Sequence, residues 1–275
     1  MPLIALASVK GSPGVTTTCL ALAAAWPGQR RLLIEADPAG GDLGPWLGAA
    51  PAPGLTGLAA AARHDHDSEV AWHHACELAG GLHLVIAPAG AEQAGACLTA
   101  LAGNAGAIFA ALAAGPETVI ADCGRLDPGS PALAIAARAE VTLVMVRPRV
   151  SELSHLALRA DGLSRAGARL ALLLAPDAGR EPAEASYPAE EIAATLAIPV
   201  QASIPADPRG ADGLIRWRGE LSKLRRLPLA RAAASLAAAL AAGPGQHPPS
   251  PAAEPGPVPV PVHHPAEVTA GDTAR

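Results

Sequence analysis

Aromatic residues are scarce in this chain. Only six of its 275 residues are aromatic (four Trp, one Tyr and one Phe), although half of all residues are hydrophobic. The core must therefore be built from Ala, Leu, Val and Ile, a composition that suits helices packed closely on a parallel sheet. The same scarcity argues against a platform on which the bases of single-stranded nucleic acid stack.

Cysteine is also sparse, and its spacing excludes the usual roles. The four cysteines are Cys19, Cys76, Cys97 and Cys123, with no C-x-x-C pair and no spacing typical of a metal site. We expect them to be small buried side chains in a reducing compartment. No secretory signal peptide is visible, and the Ala-rich stretches are too short to span a bilayer. We therefore expect a cytoplasmic protein without an integral membrane segment.

Lysine is nearly absent. The chain holds two Lys, Lys10 and Lys223, against 18 Arg, and its formal net charge is −5. This charge gives no general attraction to nucleic acid or to anionic lipid. A sequence that avoids lysine so consistently nevertheless places one of its two in a glycine-containing segment near the start of the chain.

That segment has the layout of a strand, a tight loop and a helix start. It runs from Ile4 to Thr18 as IALASVKGSPGVTTT, and its apolar run ends at Val9. Backbone amides of such a loop, together with the positive end of the helix dipole, form a seat for phosphate. Taken alone, the segment is also compatible with an ordinary strand-to-helix turn that uses glycine for positive φ.

The loop resembles the phosphate loop of the ParA/MinD family of P-loop ATPases, whose deviant Walker A pattern is K-G-G-x-G-K-[ST]-T. Five positions match this pattern: Lys10, Gly11, Gly14, Thr16 and Thr17. Ser12 and Val15 depart from it, and Val15 stands where the family has its loop lysine.

Two later apolar strands end in acidic residues. Residues 32–37 are LLIEAD, followed by a Pro- and Gly-containing turn, and residues 118–124 are TVIADCG. Ligands of open α/β sheets lie at the carboxyl ends of the strands, where these acids would be. The earlier strand is similar to the family's switch I segment D-x-D-P-x-G, with Glu35 and Asp37 as its acids. The later strand resembles the family's Walker B strand, with Asp122 as the acid that serves Mg²⁺.

The resemblance implies a site for ATP and Mg²⁺. Lys10, which would reach across a dimer to the partner's nucleotide, and Asp37, which would position or activate the attacking water, are the catalytic candidates. The nucleotide-binding candidates are Lys10, Gly11, Ser12, Gly14, Val15, Thr16, Thr17, Pro205 and Asp207. The metal candidates are Thr16 and Asp122. Pro205 and Asp207 belong to an I-P-x-D segment that borders the base in the family, whereas Ala175 replaces the family's base-contacting Asn.

The rest of the chain continues the alternation of strands and helices. We predict a strand and its exit over 82–90, and further strands over 140–146, 169–174 and 198–204. We predict helices over 91–114, 151–166 (with Ser151 as N-cap), 187–196 and 220–242, the last broken or kinked near Pro228. Residues 51–81 show no regular pattern.

This alternation predicts an α/β fold for residues 1–242: a doubly wound, mostly parallel sheet flanked by helices, of the ParA/MinD P-loop type. Proline becomes frequent from Gly243 onward. We expect residues 243–275 to be a disordered, partly polyproline tail. It is either a solvated end or a tether to a partner with a proline-binding groove.

The family's members are nucleotide-dependent switches that dimerise around two ATP molecules. The chain looks closest to divergent members such as TadZ/CpaE, which help to localise pilus and secretion machinery. Because Val15 offers no donor to the phosphates, we expect weak ATP binding and slow or absent hydrolysis. We therefore expect a homodimeric switch or scaffold that positions a larger assembly (pilus or secretion, partition, or division machinery) through a protein partner.

Three alternatives remain. The chain could be an active ATPase of the partitioning type with non-specific DNA binding, in which Lys10 takes over the missing contact. The basic residues between Arg216 and Arg231 would then bind DNA phosphates, although we favour a solvated helix face for them. A metabolic P-loop ligase such as dethiobiotin synthetase is less favoured, because those enzymes keep the loop lysine. Metal binding by the histidines of residues 64–74 is also disfavoured, since such polar loops are mostly solvated.

Overall fold

The computed structural model describes residues 3–28, 30–50, 52–78, 80–103, 106–176, 186–216 and 225–242. The strands in this part of the chain are β1 (Leu3–Ser8), β2 (Arg31–Glu35), β3 (Cys76–Leu78), β4 (Leu82–Val85), β5 (Thr118–Arg125), β6 (Val141–Val146), β7 (Leu170–Leu174) and β8 (Val200–Ser203). The helices are α1 (Val15–Ala25), α2 (Leu43–Leu47), α3 (Gly54–Ala61), α4 (Ser68–His73), α5 (Ala91–Gly103), α6 (Ala107–Ala114), α7 (Leu133–Ala136), α8 (Val150–Arg165), α9 (Ala189–Leu196), α10 (Pro208–Ile215) and α11 (Pro228–Ala241). The predicted tail, 243–275, lies outside the described residues.

The eight strands form one sheet in the order β3-β4-β2-β5-β1-β6-β7-β8. Every neighbouring pair is parallel except the edge strand β3, which runs antiparallel to β4. The predicted doubly wound, mostly parallel sheet is confirmed. Strand β1 lies between β5 and β6, so the chain winds outward from it in both directions. The loop after β1 therefore lies at the crevice where such sheets bind ligands.

The core has two layers because successive side chains of a strand point to opposite faces of the sheet. In β1, Leu3, Ala5 and Ala7 join the cluster that packs under α3 to α9. Ile4 and Leu6 join the cluster on the opposite face, which packs under α1, α2, α10 and α11. The sheet thus has helices on both faces, as the Ala-, Leu- and Val-rich composition predicts.

Two of the predicted helices differ from the observed ones. The predicted helix 91–114 is divided into α5 and α6, and α6 begins after Gly106 in the left-handed conformation. Helix α11 begins at Pro228, which is favourable at a first helical position because proline's missing amide would be unpaired there anyway. Proline therefore starts this helix instead of kinking it, and residues 220–224 of the predicted helix lie outside the described residues.

Other boundaries also shift. Helix α8 begins one residue before the predicted start and has Arg149 at its N-cap without a side-chain cap, so the prediction of Ser151 as N-cap is wrong. Residues 51–81, where no pattern was visible, contain α3, α4 and the edge strand β3. Strand β3 has three residues, too few to show an alternating pattern.

In the described part of the chain, no single helix is both long and apolar enough to cross a bilayer. The pair α5 and α6, bent by 75° at its break, meets the length and composition requirement when the two are taken together. Leu98, Ile108 and Phe109 of this pair lie in the core cluster of the domain.

Candidate functional site

Two glycines shape the loop between β1 and α1. Gly11 has φ 69° and Gly14 has φ 97°, both in the left-handed region that favours glycine. Gly14 is the N-cap residue of α1, and no side chain caps the first-turn amides. The amides of residues 15–17 have no partner within the helix and are available to a ligand at the positive end of the helix dipole.

Val15 is the first residue of α1, at the position where a lysine would be expected by resemblance. Its side chain is 7% exposed and belongs to the core cluster that also contains Leu6 and Leu20. It contributes packing to the base of α1 and offers no hydrogen-bond donor to a phosphate.

Asp122 lies within β5, in register with Glu35 of β2. Its carboxylate is 1% exposed and accepts hydrogen bonds from the Thr16 hydroxyl and from the Gly124 amide (3.1 Å). Burial raises the pKa of Asp122 to about 7, although the two hydrogen bonds act in the opposite direction. A hydroxyl beside a carboxylate is a set of hard oxygen donors of the kind that Mg²⁺ prefers.

Asp37 follows β2 and lies against the end of β5. Its carboxylate accepts a hydrogen bond from the Ala39 amide (2.7 Å). Gly124 has φ 55°, and a Cβ at that position would overlap the Asp37 carboxylate. Burial raises the pKa of Asp37, whereas the positive charge of Arg125 opposes that rise. Glycine at 124 therefore lets the two acidic strand ends approach each other.

Glu35 has a different role from that of the other two carboxylates. It is 2% exposed, and its two oxygens accept hydrogen bonds from the amides of Asp42 (2.8 Å), Leu43 (2.7 Å) and Ala87 (3.0 Å). Burial raises its pKa even though these three bonds favour the charged form. Glu35 thus joins the loop after β2 and the start of α2 to the end of β4, and it positions the loop that carries Asp37.

We predict that Glu35→Ala lowers the free energy of unfolding by about 2–4 kcal/mol, because three amides near the core would lose their acceptor. Chemical denaturation followed by circular dichroism measures this loss. The matched control is Glu77→Ala, at an exposed position on the edge strand. An unchanged denaturation midpoint for Glu35→Ala would show that these bonds do not hold the loop.

Most of the predicted site residues line one cleft of about 470 Å³ at the carboxyl edge of the sheet. The predicted residues in its lining are Gly11, Ser12, Gly14, Val15, Thr16, Thr17 and Asp37. Trp46 of α2, which the sequence did not point to, also lines it. Asp122 accepts its hydrogen bond from Thr16, a residue of this lining.

A second cleft of about 260 Å³ adjoins the first and shares Gly14 and Thr17 with it. Pro205 and Asp207 line it, together with Ala175. Both oxygens of Asp207 accept hydrogen bonds from backbone amides, of Gly210 at 2.9 Å and Leu229 at 3.1 Å. The carboxylate therefore caps α10 and ties it to the start of α11. The two clefts therefore meet at the start of α1.

Lys10 is exposed, and the lining of neither cleft includes it. In the part of the chain that the structure describes, its ammonium group has no hydrogen-bond or ion-pair partner. The structure therefore places this predicted site residue beside the loop glycines but outside the lining of both clefts.

Sequence reasoning missed three arginines that hold the loop. Each donates to a loop carbonyl: Arg125 Nη2 to Gly11 O (3.3 Å), Arg147 Nη2 to Ser12 O (3.3 Å) and Arg159 Nη1 to Val9 O (2.7 Å). The partners in these contacts are separated by 114, 135 and 150 positions in the sequence, so no local pattern predicts them.

No protein-family model and no curated protein matches this sequence. Solved structures do match its fold. MinD of Pyrococcus horikoshii OT3, complexed with Mg-ADP, has a TM-score of 0.67 and 19% identity, over 88% of this chain and 97% of MinD. A ParA family ATPase from Chlorobium tepidum TLS has a TM-score of 0.65 and 16% identity, over 87% of this chain and 98% of that one. The ATP complex of a single-residue variant of Cyanothece McdA has a TM-score of 0.60 and 19% identity, over 88% of this chain and 96% of McdA. The chain has the fold of the ParA and MinD ATPases.

Proposed function

We propose that this chain is a nucleotide-dependent positioning protein of the ParA/MinD kind. It binds ATP with Mg²⁺ weakly, hydrolyses it slowly or not at all, and acts as a homodimer that positions a larger assembly through a protein partner. One observation carries the proposal: the loop amides, the Thr16–Asp122 pair and Asp37 converge on one cleft at the carboxyl edge of the sheet.

Different residues of the two clefts would bind different parts of Mg-ATP. The amides at the start of α1 bind the phosphates, and the adjoining cleft with Pro205 takes the base end. Thr16 and Asp122 would hold Mg²⁺, which neutralises phosphate charge when bound. Asp37, which lines the same cleft, would orient a water toward the terminal phosphate. The Mg-ADP in MinD and the ATP in McdA support this choice of ligand.

Val15 accounts for the proposed weakness of turnover. A lysine at this position would hold the charge that develops on the phosphates during transfer, and valine holds none. Among ParA/MinD proteins we favour the TadZ/CpaE-like subgroup, whose members localise pilus or secretion machinery, because a degraded loop is compatible with a scaffold role. Partition and division machinery are the other assemblies that the proposal covers.

Calorimetry with ATP and Mg²⁺ tests the proposal. We predict weak but measurable heat for the wild type, and binding about tenfold weaker for Lys10→Ala, the size expected when one bond to a charged group is lost. Lys10 lies outside its own cleft, so its contact would be made to the nucleotide of a second copy. Sedimentation should then show that ATP promotes dimers of the wild type only. Equal heats for the two proteins would remove Lys10 from the site, and absence of heat for both would contradict nucleotide binding.

An active partitioning ATPase is the second candidate. It is favoured by the exposure of Arg216, Arg225, Arg226 and Arg231, which could face DNA; Lys223 lies outside the described residues. Phosphate release well above background that disappears in Asp37→Ala would support this candidate. A salt-dependent mobility shift of plasmid DNA that is lost on Arg225→Glu with Arg226→Glu would support its DNA-binding part.

A further inference from the structure

The cleft needs a positive charge that its loop does not supply. Polyphosphate binding in P-loop proteins combines amides with a cationic side chain. Here Val15 occupies the position of that cation, and Lys10 lies outside the cleft lining. If the proposed function is correct, another part of the chain must bring a cation to the terminal phosphate.

Three arginines reach the loop, but two of them are already neutralised. Arg147 pairs with the buried Glu152 at 2.7 Å, and Arg159 pairs with Asp127 at 2.8 Å. The Glu152 carboxylate also accepts the backbone amide of Arg147 (2.8 Å), so that arginine is fixed in place. Both pairs brace the loop and bring little net charge to it.

Arg125 differs from these two in its electrostatic surroundings. Within the described residues, its guanidinium makes one hydrogen bond, to the neutral carbonyl of Gly11 at 3.3 Å, and no ion pair. Burial raises the pKa of Asp37, and the positive charge of Arg125 acts in the opposite direction with a smaller effect. Arg125 is exposed and lines the 470 Å³ cleft with Thr16 and Asp37.

The position of Arg125 in the chain supports a ligand-binding role. It is the last residue of β5, three residues after Asp122 on the same strand. The strand end that would serve the metal therefore also delivers a guanidinium to the phosphate cleft. Arginine has five N–H donors in a planar fork, so Arg125 can keep its bond to Gly11 and still offer donors to a phosphate.

We propose that Arg125 is the phosphate-binding cation of this cleft and contacts the terminal phosphate of ATP in place of a loop lysine. Arg125 and Asp37 belong to the lining of the first cleft only, whereas the base end lies in the second. The contact therefore falls on the end of the nucleotide that distinguishes ATP from ADP. It rests on the proposed function, because it presupposes that the cleft binds a nucleotide.

Calorimetry with ATP and with ADP, each with Mg²⁺, tests this assignment on the full chain. We expect Arg125→Gln to weaken ATP binding about 10- to 100-fold, the loss of a bond to a charged group, and to weaken ADP binding less than about threefold. Arg125→Lys keeps the positive charge but not the planar fork of donors, so its affinity for ATP should lie between those of the wild type and Arg125→Gln. Arg63→Gln, at an exposed position outside both clefts, is the matched control and should bind both nucleotides as the wild type does.

The outcomes distinguish a wrong assignment of Arg125 from a wrong proposed function. If the wild type binds ATP and Arg125→Gln binds it equally well, the assignment of Arg125 is wrong and the proposed function stands. If Arg125→Gln loses ATP and ADP to the same degree while thermal unfolding is unchanged, Arg125 only braces the loop through Gly11, and the assignment is again overturned. If the wild type binds neither nucleotide, the proposed function fails and this inference fails with it.

Discussion

Asp122→Asn is expected to stabilise the nucleotide-free protein at pH 8 by about 2–4 kcal/mol, a direction opposite to that of most core substitutions. Asp122 is almost fully buried, and its pKa in the folded chain is about 7. Its ordinary value is 3.8. At pH 8 the wild type must therefore keep a charged carboxylate inside the protein. Asparagine has the same shape and carries no charge, and its oxygen can still accept from Gly124.

The sign of the pH dependence follows from the two pKa values. Between about pH 4 and pH 7 the folded state binds more protons at Asp122 than the unfolded state, so stability falls as the pH rises through this window. The advantage of Asp122→Asn should accordingly shrink by about 2 kcal/mol when the pH is lowered from 8 to 5. Urea denaturation at both pH values measures this change.

A control and an additional readout complete this experiment. Asp212→Asn removes a carboxylate at an exposed position of α10 and should leave the stability difference between the two pH values unchanged. Mg²⁺ should add to the ATP-induced rise in melting temperature of the wild type but not of Asp122→Asn, because an amide is a poorer ligand for Mg²⁺ than a carboxylate. If Asp122→Asn were more stable than the wild type by the same amount at pH 5 and pH 8, the raised pKa of Asp122 would be contradicted.

The order of motifs along the chain was enough to predict the sheet and the cleft. The loop glycines lie between an apolar strand and a helix start, Asp37 follows an apolar strand, and Asp122 lies within one. Parallel strands bring such positions to one edge of the sheet. Residue types alone did not separate Glu35 from Asp37. Both are carboxylates near the end of the same strand. Only the folded chain shows that three backbone amides donate to Glu35, which makes it a structural residue.

What the sequence did not predict depends on contacts between distant residues. Arg125, Arg147 and Arg159 donate to a loop more than 100 positions away, and 18 arginines give no reason to choose these three. The helix start at Pro228 was misplaced for a local reason, since proline both ends and begins helices. Short elements such as α4 and β3 are stabilised by packing and not by a pattern of their own.

Val15→Lys is expected to restore the missing phosphate contact and to tighten ATP binding about 10- to 100-fold. Side chains at the start of a helix point back toward its N-terminus, which here is the phosphate loop. The aliphatic part of lysine can cover the core position of Val15 while the ammonium group reaches the cleft. The lost valine packing should cost about 1–2 kcal/mol of unfolding free energy. Phosphate release should rise above the wild-type rate, since the same lysine stabilises developing charge.

Val15→Met is the control for this gain, because methionine is similarly long and unbranched but carries no charge. It should bind ATP as weakly as the wild type, and equal affinities of Val15→Lys and Val15→Met would show that the phosphates do not lie over the start of α1. The double variant that combines Val15→Lys with Arg125→Gln tests whether the introduced lysine and Arg125 contact the same phosphates. If both contact the same phosphates, the Val15→Lys change should recover most of the affinity that Arg125→Gln loses, and the two effects should not be additive.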